Sequence, residues 1–354
     1  MFKNSYNVVG VMSGTSLDGI DLAHIHFSIQ NGKWSFEIHQ CETIPYPIDW
    51  LNKLKIAVSF SKEELIELNQ NYTAFLGTTI RSFLDKNSIT DLDAVCSHGH
   101  TILHQPQNGF TLQIGNLPEI AHYVNTTVVC DFRVQDVQLG GQGAPLVPIG
   151  DRKLFSDFDY CLNLGGFSNV SFENDGKRIA FDISPVNTVL NYYANQLGFD
   201  YDNKGAMARS GKIVTKLLSV LTVLDYYQKP FPKSLGFEFV KGTVLPLMDQ
   251  FSIVTEDKMR TFTEHIAQQI GFALPTNEGK ILVTGGGAYN DFLIERMQHF
   301  LPEIEIIIPN STLLEYKEAL IFALLGVLKL RNEVNALASV TGAKHDHSSG
   351  VIYN

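Results

Sequence analysis

The sequence predicts an α/β protein built from two similarly organised halves, and three observations carry that prediction. Tyr6 to Val11, Asp21 to Ile29 and Trp34 to Thr43 are strand-like runs separated by Gly, Asn or Ser, a meander whose first turn is markedly polar. From Ile48 to Lys86 the apolar residues Leu51, Leu54, Ile56, Leu65, Leu68, Phe75 and Ile80 recur at helical spacing. After short strands at Asp93 to Ser97 and Thr111 to Ile114, a second pass begins near Tyr160. It has strands at Tyr160 to Leu164, Val170 to Glu173 and Arg178 to Asp182, helices at Thr188 to Leu197 and Met259 to Phe272, and a strand at Lys280 to Val283. The halves share a pattern but no sequence repeat.

A chain of 354 residues, 44% hydrophobic and 18% charged, has apolar material for two domains. The crossing between them is expected at Gly140-Gly141-Gln142-Gly143-Ala144-Pro145, with Pro148 and Gly150 close behind, because glycine and proline mark turns and hinges. With a helix from Leu313 to Lys329 returning to complete the first half, the expected lobes are 1–130 plus 311–354, and 131–310. A formal net charge of -10 weighs against nucleic acid or an anionic membrane as partner, since both select concentrated Lys and Arg. Cys41, Cys96, Cys130 and Cys161 form no C-x-x-C pair and read as reduced, buried thiols of a cytosolic protein. The first apolar run breaks at Ser13, too early for an export signal, and Ala319 to Leu330 falls short of the ~20 residues that span a bilayer.

The most informative stretch is Asn7 to Asp21, where an apolar run breaks into Ser13-Gly14-Thr15-Ser16-Leu17-Asp18-Gly19-Ile20-Asp21. Small residues let backbone N–H groups and hydroxyls reach an anion. Asp18 and Asp21 would repel a bare phosphate, so a divalent cation such as Mg²⁺ is expected between them and it. A polar hairpin turn is the plainer alternative. The loop has neither the Gly-Lys-Ser/Thr ending of a P-loop nor the G-x-G-x-x-G of a dinucleotide site.

Two further glycine loops follow apolar strands. Gly165 and Gly166 in Asn163-Leu164-Gly165-Gly166-Phe167 can face amides toward a phosphate or form a simple β-turn. Gly285-Gly286-Gly287, ahead of a helix N-capped by Asn290, can admit a flat base or ribose, or can serve close packing. Asp182 ends the apolar run Ile-Ala-Phe, where a carboxylate can be aimed into a cleft as a general base; capping a helix near Thr188 or closing a turn with Ser184 is the alternative. Ser97-His98-Gly99-His100-Thr101-Ile102-Leu103-His104 invites a zinc reading through His98, His100 and His104, but neither Cys96 nor a nearby acid supplies a fourth ligand, and hydrogen bonding to a sugar by His98 and Thr101 is preferred. Arg133, near Asp131 and Asp136, suits a planar carboxylate or an internal ion pair. His345-Asp346-His347 reads as a solvated tail feature.

The stretch Met12 to Gly19 resembles the first phosphate motif of the sugar kinase, Hsp70 and actin superfamily. Within it, the chain resembles the anhydro-N-acetylmuramic acid kinase family. The resemblance runs in order through Ser97-His98-Gly99, Thr111 to Gly115, Asp131-Phe132-Arg133, Gly140 to Pro148, Asn163 to Gly166, Phe181-Asp182, Pro232-Lys233-Ser234, Gly285 to Asn290, Glu318-Ala319 and Thr341-Gly342-Ala343. It implies a two-lobed actin-like ATPase fold of two RNase H-like domains, with mixed five-stranded sheets flanked by helices and a central ATP cleft. It also implies an ATP- and Mg²⁺-dependent cytoplasmic enzyme of cell-wall recycling, which opens the 1,6-anhydro ring and phosphorylates O6 to give N-acetylmuramic acid 6-phosphate. By the same resemblance the nucleotide would meet Gly14, Thr15, Ser16, Leu17, Asp18, Gly19, Ile20, Asp21, Asn163, Gly165, Gly166, Gly285, Gly286 and Gly287. The sugar would meet His98, Thr101, Arg133 and Glu318. Asp182 would be the base, and Asp18 and Asp182 would hold Mg²⁺. A homodimer is the family-like expectation, with no nucleic-acid or membrane partner.

The chain departs from the family's usual pattern at several positions. Gln is usual where His100 stands, Thr-Gly-Pro-Gly-Asn where Ile183 to Asn187 stand, and Asp where Asn116 and Asn191 stand. The two lost glycines beside Asp182 keep open a kinase for another anhydrosugar or amino sugar. An ATP-gated binding protein with Hsp70-like lobes is the alternative from another class, against which Asp182, Asp18 and Arg133 count.

Overall fold

Two sheets of one topology organise the chain, which the computed structural model describes over residues 2–354. The first unit runs to Leu154 and resumes at Tyr316–Asn354; the second is Phe155–Glu315.

In the first unit β1 (Ser5–Ser13), β2 (Ile20–Gln30) and β3 (Lys33–Ile44) form the expected antiparallel meander, with Ser13 opposite Ile20 across the polar turn. β4 (Ala94–Gln105) lies parallel to β1, β5 (Phe110–Ile114) folds back on β4, and β6 (Val128–Cys130) lies parallel to β4. A C-terminal strand, Val351–Tyr353, closes the edge beside β6. This sheet therefore has seven strands rather than five: the β5 hairpin and the C-terminal strand are added to the core order β6-β4-β1-β2-β3. One face is covered by the helix Lys62–Lys86, whose buried Leu68, Tyr72, Leu76, Ile80 and Phe83 form a stripe of helical period over Val9, Val11 and Leu22. Its start is set by a capping box: Ser61 Oγ accepts from the Glu64 amide, and the Glu64 carboxylate accepts from the Ser61 amide. The helix Ser311–Leu330 approaches β1 so closely that a Cβ on Gly10 would lie 2.0 Å from the Ala319 carbonyl oxygen.

The second unit repeats the plan. β7 (Tyr160–Leu164), β8 (Phe167–Asn174) and β9 (Lys177–Pro185) make the meander; β10 (Gly279–Thr284) is parallel to β7 and β11 (Ile304–Ile307) to β10. The order β9-β8-β7-β10-β11 matches the core of the first sheet strand for strand. Both units thus have the RNase H-like arrangement, and the repetition read from pattern is a repetition of topology. Met259, Phe262, Ile266 and Ile270 of the helix Thr255–Ala273 supply much of this core.

The division between units falls at Leu154/Phe155 and Glu315/Tyr316, not at 130/131 and 310/311. Residues 131–154 pack into the first unit because Asp136 ties them there. Its buried carboxylate accepts from the Gly143 amide (2.7 Å) and from Thr341 Oγ1 (2.7 Å), while the Gln142 amide donates to the Thr341 carbonyl. The glycine-rich stretch at 140–145 is thereby an internal clasp holding the Thr341-Gly342-Ala343 segment. Of His345-Asp346-His347, only His347 departs from the solvated reading: it is buried and bridges to Ala336, while His345 and Asp346 are exposed and Asp346 accepts from the Ala338 amide. Cys96, Cys130 and Cys161 are buried free thiols and Cys41 is half-buried. Among the described residues no helix is long and apolar enough to cross a membrane.

Candidate active site

In the first unit the loop between β1 and β2 begins beside a buried polar knot. Ser13 Oγ meets Tyr46 OH, Tyr72 OH (2.9 Å) and His100 Nδ1 (2.8 Å), so it anchors the loop instead of facing outward. Beyond it the Leu17 amide donates to the Gly14 carbonyl, a turn that Leu17 closes at φ 63°. Thr15, Ser16 and Asp18 are exposed. Gly19 is required by contact: a Cβ there would lie 2.8 Å from the Ile44 carbonyl oxygen. Asp21 accepts from Thr43 Oγ1 at 2.6 Å.

Regular strand alternation would put His98 and His100 on one face of β4. Gly99, at φ 72° and packed where a Cβ would meet the Ile114 carbonyl at 2.6 Å, breaks that alternation. His100 therefore packs against Tyr46 and Tyr72, while His98 lies against Phe322, 4.6 Å between ring centres. Among the described residues no group of three or more His, Cys, Asp or Glu could hold a metal by itself.

His98 is fully engaged. Its Nδ1 donates to the Gly99 carbonyl (2.9 Å), which leaves Nε2 to accept from Arg133 Nε at 2.8 Å. Burial and the Arg133 charge hold the ring well below its ordinary pKa, so it is neutral. Both ring nitrogens are taken by protein groups, and His98 holds Arg133 in place. Arg133 Nη1 donates to the Gly143 carbonyl (2.7 Å) and the guanidinium lies over Phe322. Burial pushes Arg133 down to about 10, with Glu318 and Asp136 opposing, so it stays a cation at neutral pH. Of the two alternatives left open for Arg133, the internal Arg–Asp pair gives way to this histidine-held arginine, since Asp136 serves the clasp. Glu318 is open to solvent yet flanked by protein that raises its carboxyl, while Arg133 pulls it back down. Thr101 Oγ1 accepts from Gln113 Nε2 (3.3 Å) and keeps its own proton to donate.

In the second unit Asp182 is half-buried near the end of β9 and clamped at three points. Its amide donates to the Lys233 carbonyl (3.1 Å), its carbonyl accepts from Tyr226 OH (2.6 Å), and its Oδ2 accepts from the Leu235 amide (2.8 Å). Oδ1 has no partner among the described residues. Desolvation raises the Asp182 pKa and the Leu235 amide partly offsets it. The strand carrying it is held to the clamp loop by Phe181 stacked on Phe231 at 5.2 Å. Nothing in the sequence marks Tyr226 or the Leu235 amide for this work, although Pro232-Lys233-Ser234 points to the segment. The replaced residues beside Asp182 are accounted for by the core: Ile183 and Val186 are 2% and 0% exposed, and the Ser184 amide donates to Ser168 Oγ.

The Gly165 and Gly166 carbonyls accept the amides of Asn187, Val186 and Thr188, fixing the start of the helix Asn187–Gln196 against the end of β7. The three glycines after β10 divide into two roles. A Cβ on Gly285 would lie 2.5 Å from Asn163 Oδ1, and one on Gly287 would lie 2.7 Å from Leu164 Cβ, so both serve contact with β7. Gly286 is exposed, meets nothing nearer than Asn187 Nδ2 at 3.8 Å, and lines a cavity of about 550 Å³ with Asn187, Asn191, Tyr201, Asn203 and Tyr289. The Tyr201 to Lys204 rim was not legible in advance; its one signal is the Asp-Asn-Lys-Gly run, which the structure turns through φ 58° at Lys204 and 72° at Gly205.

Duplicated RNase H-like units, with glycine loops at the ends of parallel strands and an aimed carboxylate, define a sugar-kinase-like phosphotransferase. The family model described as anhydro-N-acetylmuramic acid kinase matches residues 6–354. Proteins of that name from Actinobacillus pleuropneumoniae serotype 7 (strain AP76) and Pseudomonas syringae pv. tomato (strain ATCC BAA-871 / DC3000) are 34% and 35% identical, covering 100% and 98% of this chain and equal shares of their own. Among solved structures, the (R)-2-hydroxyglutaryl-CoA dehydratase component A of Acidaminococcus fermentans aligns over 92% of this chain and 99% of its own, 14% identical, with a TM-score of 0.46. The chain belongs to the anhydro-N-acetylmuramic acid kinase family.

Proposed function

We propose that this protein opens the 1,6-anhydro bridge of anhydro-N-acetylmuramic acid with water and transfers the γ-phosphoryl group of ATP to the freed O6. The observation that carries the proposal is Asp182, clamped through its main chain and Oδ2 while Oδ1 is left to accept a proton. Water attacks C1; its proton passes to Asp182 Oδ1; the C1–O6 bond breaks, and O6 takes the phosphoryl group as ADP leaves. Desolvation raises the Asp182 pKa, which makes its carboxylate a stronger base than a solvated one. Arg133, with three of its donors placed on a planar fork, binds the lactyl carboxylate, and Thr101 and Glu318 bind sugar hydroxyls.

In this reading the 14–21 loop takes the phosphates, Gly165 and Gly166 assist, and the cavity beside Gly286 takes the adenosine. Asp18 offers a hard oxygen donor, as does Asp182, which fits Mg²⁺, a cation bound through one or two carboxylates with phosphate and water completing its shell. When bound, Mg²⁺ would neutralise charge on the transferring phosphoryl group. The enzyme acts in the cytoplasm, as a homodimer.

The test is ADP release with Mg-ATP and anhydro-N-acetylmuramic acid, beside N-acetylglucosamine and no-sugar controls, with product mass determined. Sugar-dependent ADP and a product heavier by one water and one phosphate are expected. Asp182→Asn should lower turnover at least about 10²-fold while ATP binding is kept. ADP silence despite ATP binding would overturn the assignment, and undiminished turnover of the variant would remove Asp182 as the base.

A further inference from the structure

We propose that His100 presents an unprotonated Nε2 as a fixed hydrogen-bond acceptor for a hydroxyl of the sugar substrate. The argument is a proton count. Ser13 Oγ, Tyr46 OH and Tyr72 OH contact one another pairwise, and Ser13 Oγ also contacts His100 Nδ1. Four contacts need four protons, and three hydroxyls supply three. The fourth must come from His100, so Nδ1 carries the hydrogen and donates to Ser13 while the hydroxyls donate around their ring. The opposite tautomer would leave two oxygens of the knot facing each other with no proton between them, buried, where that is costly.

With Nδ1 committed, Nε2 holds a lone pair. It meets no partner among the described residues, and it is absent from their enclosed, unpartnered polar atoms, so it keeps an opening to solvent although the residue is 2% exposed. The Tyr46 and Tyr72 rings flank the imidazole and fix its plane. Desolvation holds His100 down to about 4, so the acceptor persists at neutral pH. Its place suits a sugar: it pairs with Ser13 across β1 and β4 where the 14–21 loop departs, and with Ile114 across β5. The ligand's identity rests on the sugar-kinase reading; the tautomer does not.

The experiment is nitrogen-15 NMR of histidine-labelled protein, His100→Gln assigning the resonances, titrated with anhydro-N-acetylmuramic acid alongside calorimetry. The free protein should show Nδ1 protonated and Nε2 bare at neutral pH, and sugar should move the Nε2 resonance toward its hydrogen-bonded position. His100→Phe should weaken sugar binding about tenfold with nucleotide affinity unchanged, and His100→Gln, whose amide oxygen still accepts, should recover most of it. A protonated Nε2 in the free protein would overturn the tautomer, and sugar binding that leaves Nε2 unmoved would overturn the contact. Wild-type protein that binds no sugar at all would count against the activity itself and the contact with it.

Discussion

Gly286 and Gly287 are adjacent, identical in sequence terms, and should respond oppositely to one methyl group. Alanine at 287 puts a Cβ 2.7 Å from Leu164 Cβ and 2.9 Å from the Leu164 carbonyl oxygen, both on a central strand that cannot move aside. Overpacking of that kind costs about 1–3 kcal/mol. For a unit of this size each kcal/mol lowers Tm by about 2–4 °C, so a loss of roughly 2–12 °C is expected. Alanine at 286 meets no atom within 3.8 Å and should leave Tm unchanged, but its methyl enters the cavity and should weaken binding of a non-hydrolysable ATP analogue about tenfold. Calorimetric melting and isothermal titration on the two variants decide the matter. A Gly286→Ala protein that melts early and binds nucleotide normally would refute the division of the glycines.

Two further outcomes follow from the first unit. Burial pushes Asp131, held at φ 57° with its carboxylate accepting from the Val134 amide, up to about 6 from 3.8. A raised carboxyl pKa adds stability only while the proton is bound, an advantage present below about pH 4 and lost as pH rises through 6. Asp131→Asn, which tolerates this backbone and still accepts the hydrogen bond, should therefore raise Tm at pH 8, by an amount worth about 1–3 kcal/mol, and have little effect at pH 3.5. Thr341→Val removes the hydroxyl bonded to buried Asp136 and should cost about 1–3 kcal/mol in urea unfolding; an unchanged midpoint would mean that Asp136 holds the clasp without it.

Strand alternation and helical spacing are local signals, which is why both meanders and the main helices could be read from sequence. The unit boundary could not, because it depends on a hydrogen bond between Asp136 and a threonine 205 positions away. Glycine-rich stretches are legible as places of close approach but not as to what approaches: helix, strand or ligand. The same blindness applies to side chains whose partners are distant. His98 looks like a direct ligand contact until Arg133 is seen to occupy its free nitrogen, and nothing in the sequence shows that Ile183 and Val186 join the core of the second unit.

The first unit is interrupted by the second, and this fixes an order of events at the ribosome. Residues 155–315 are translated in full before Tyr316–Asn354 emerge, and those residues carry both the helix that packs on Gly10 and the strand that closes the sheet beside β6. At 5–20 residues per second the missing segment takes roughly two to eight seconds to appear. During that interval the edge of β6 is unpaired and the apolar surface around Gly10 is bare, while the later-encoded unit can already be folded. The nascent chain is most exposed to aggregation in its earliest-made part.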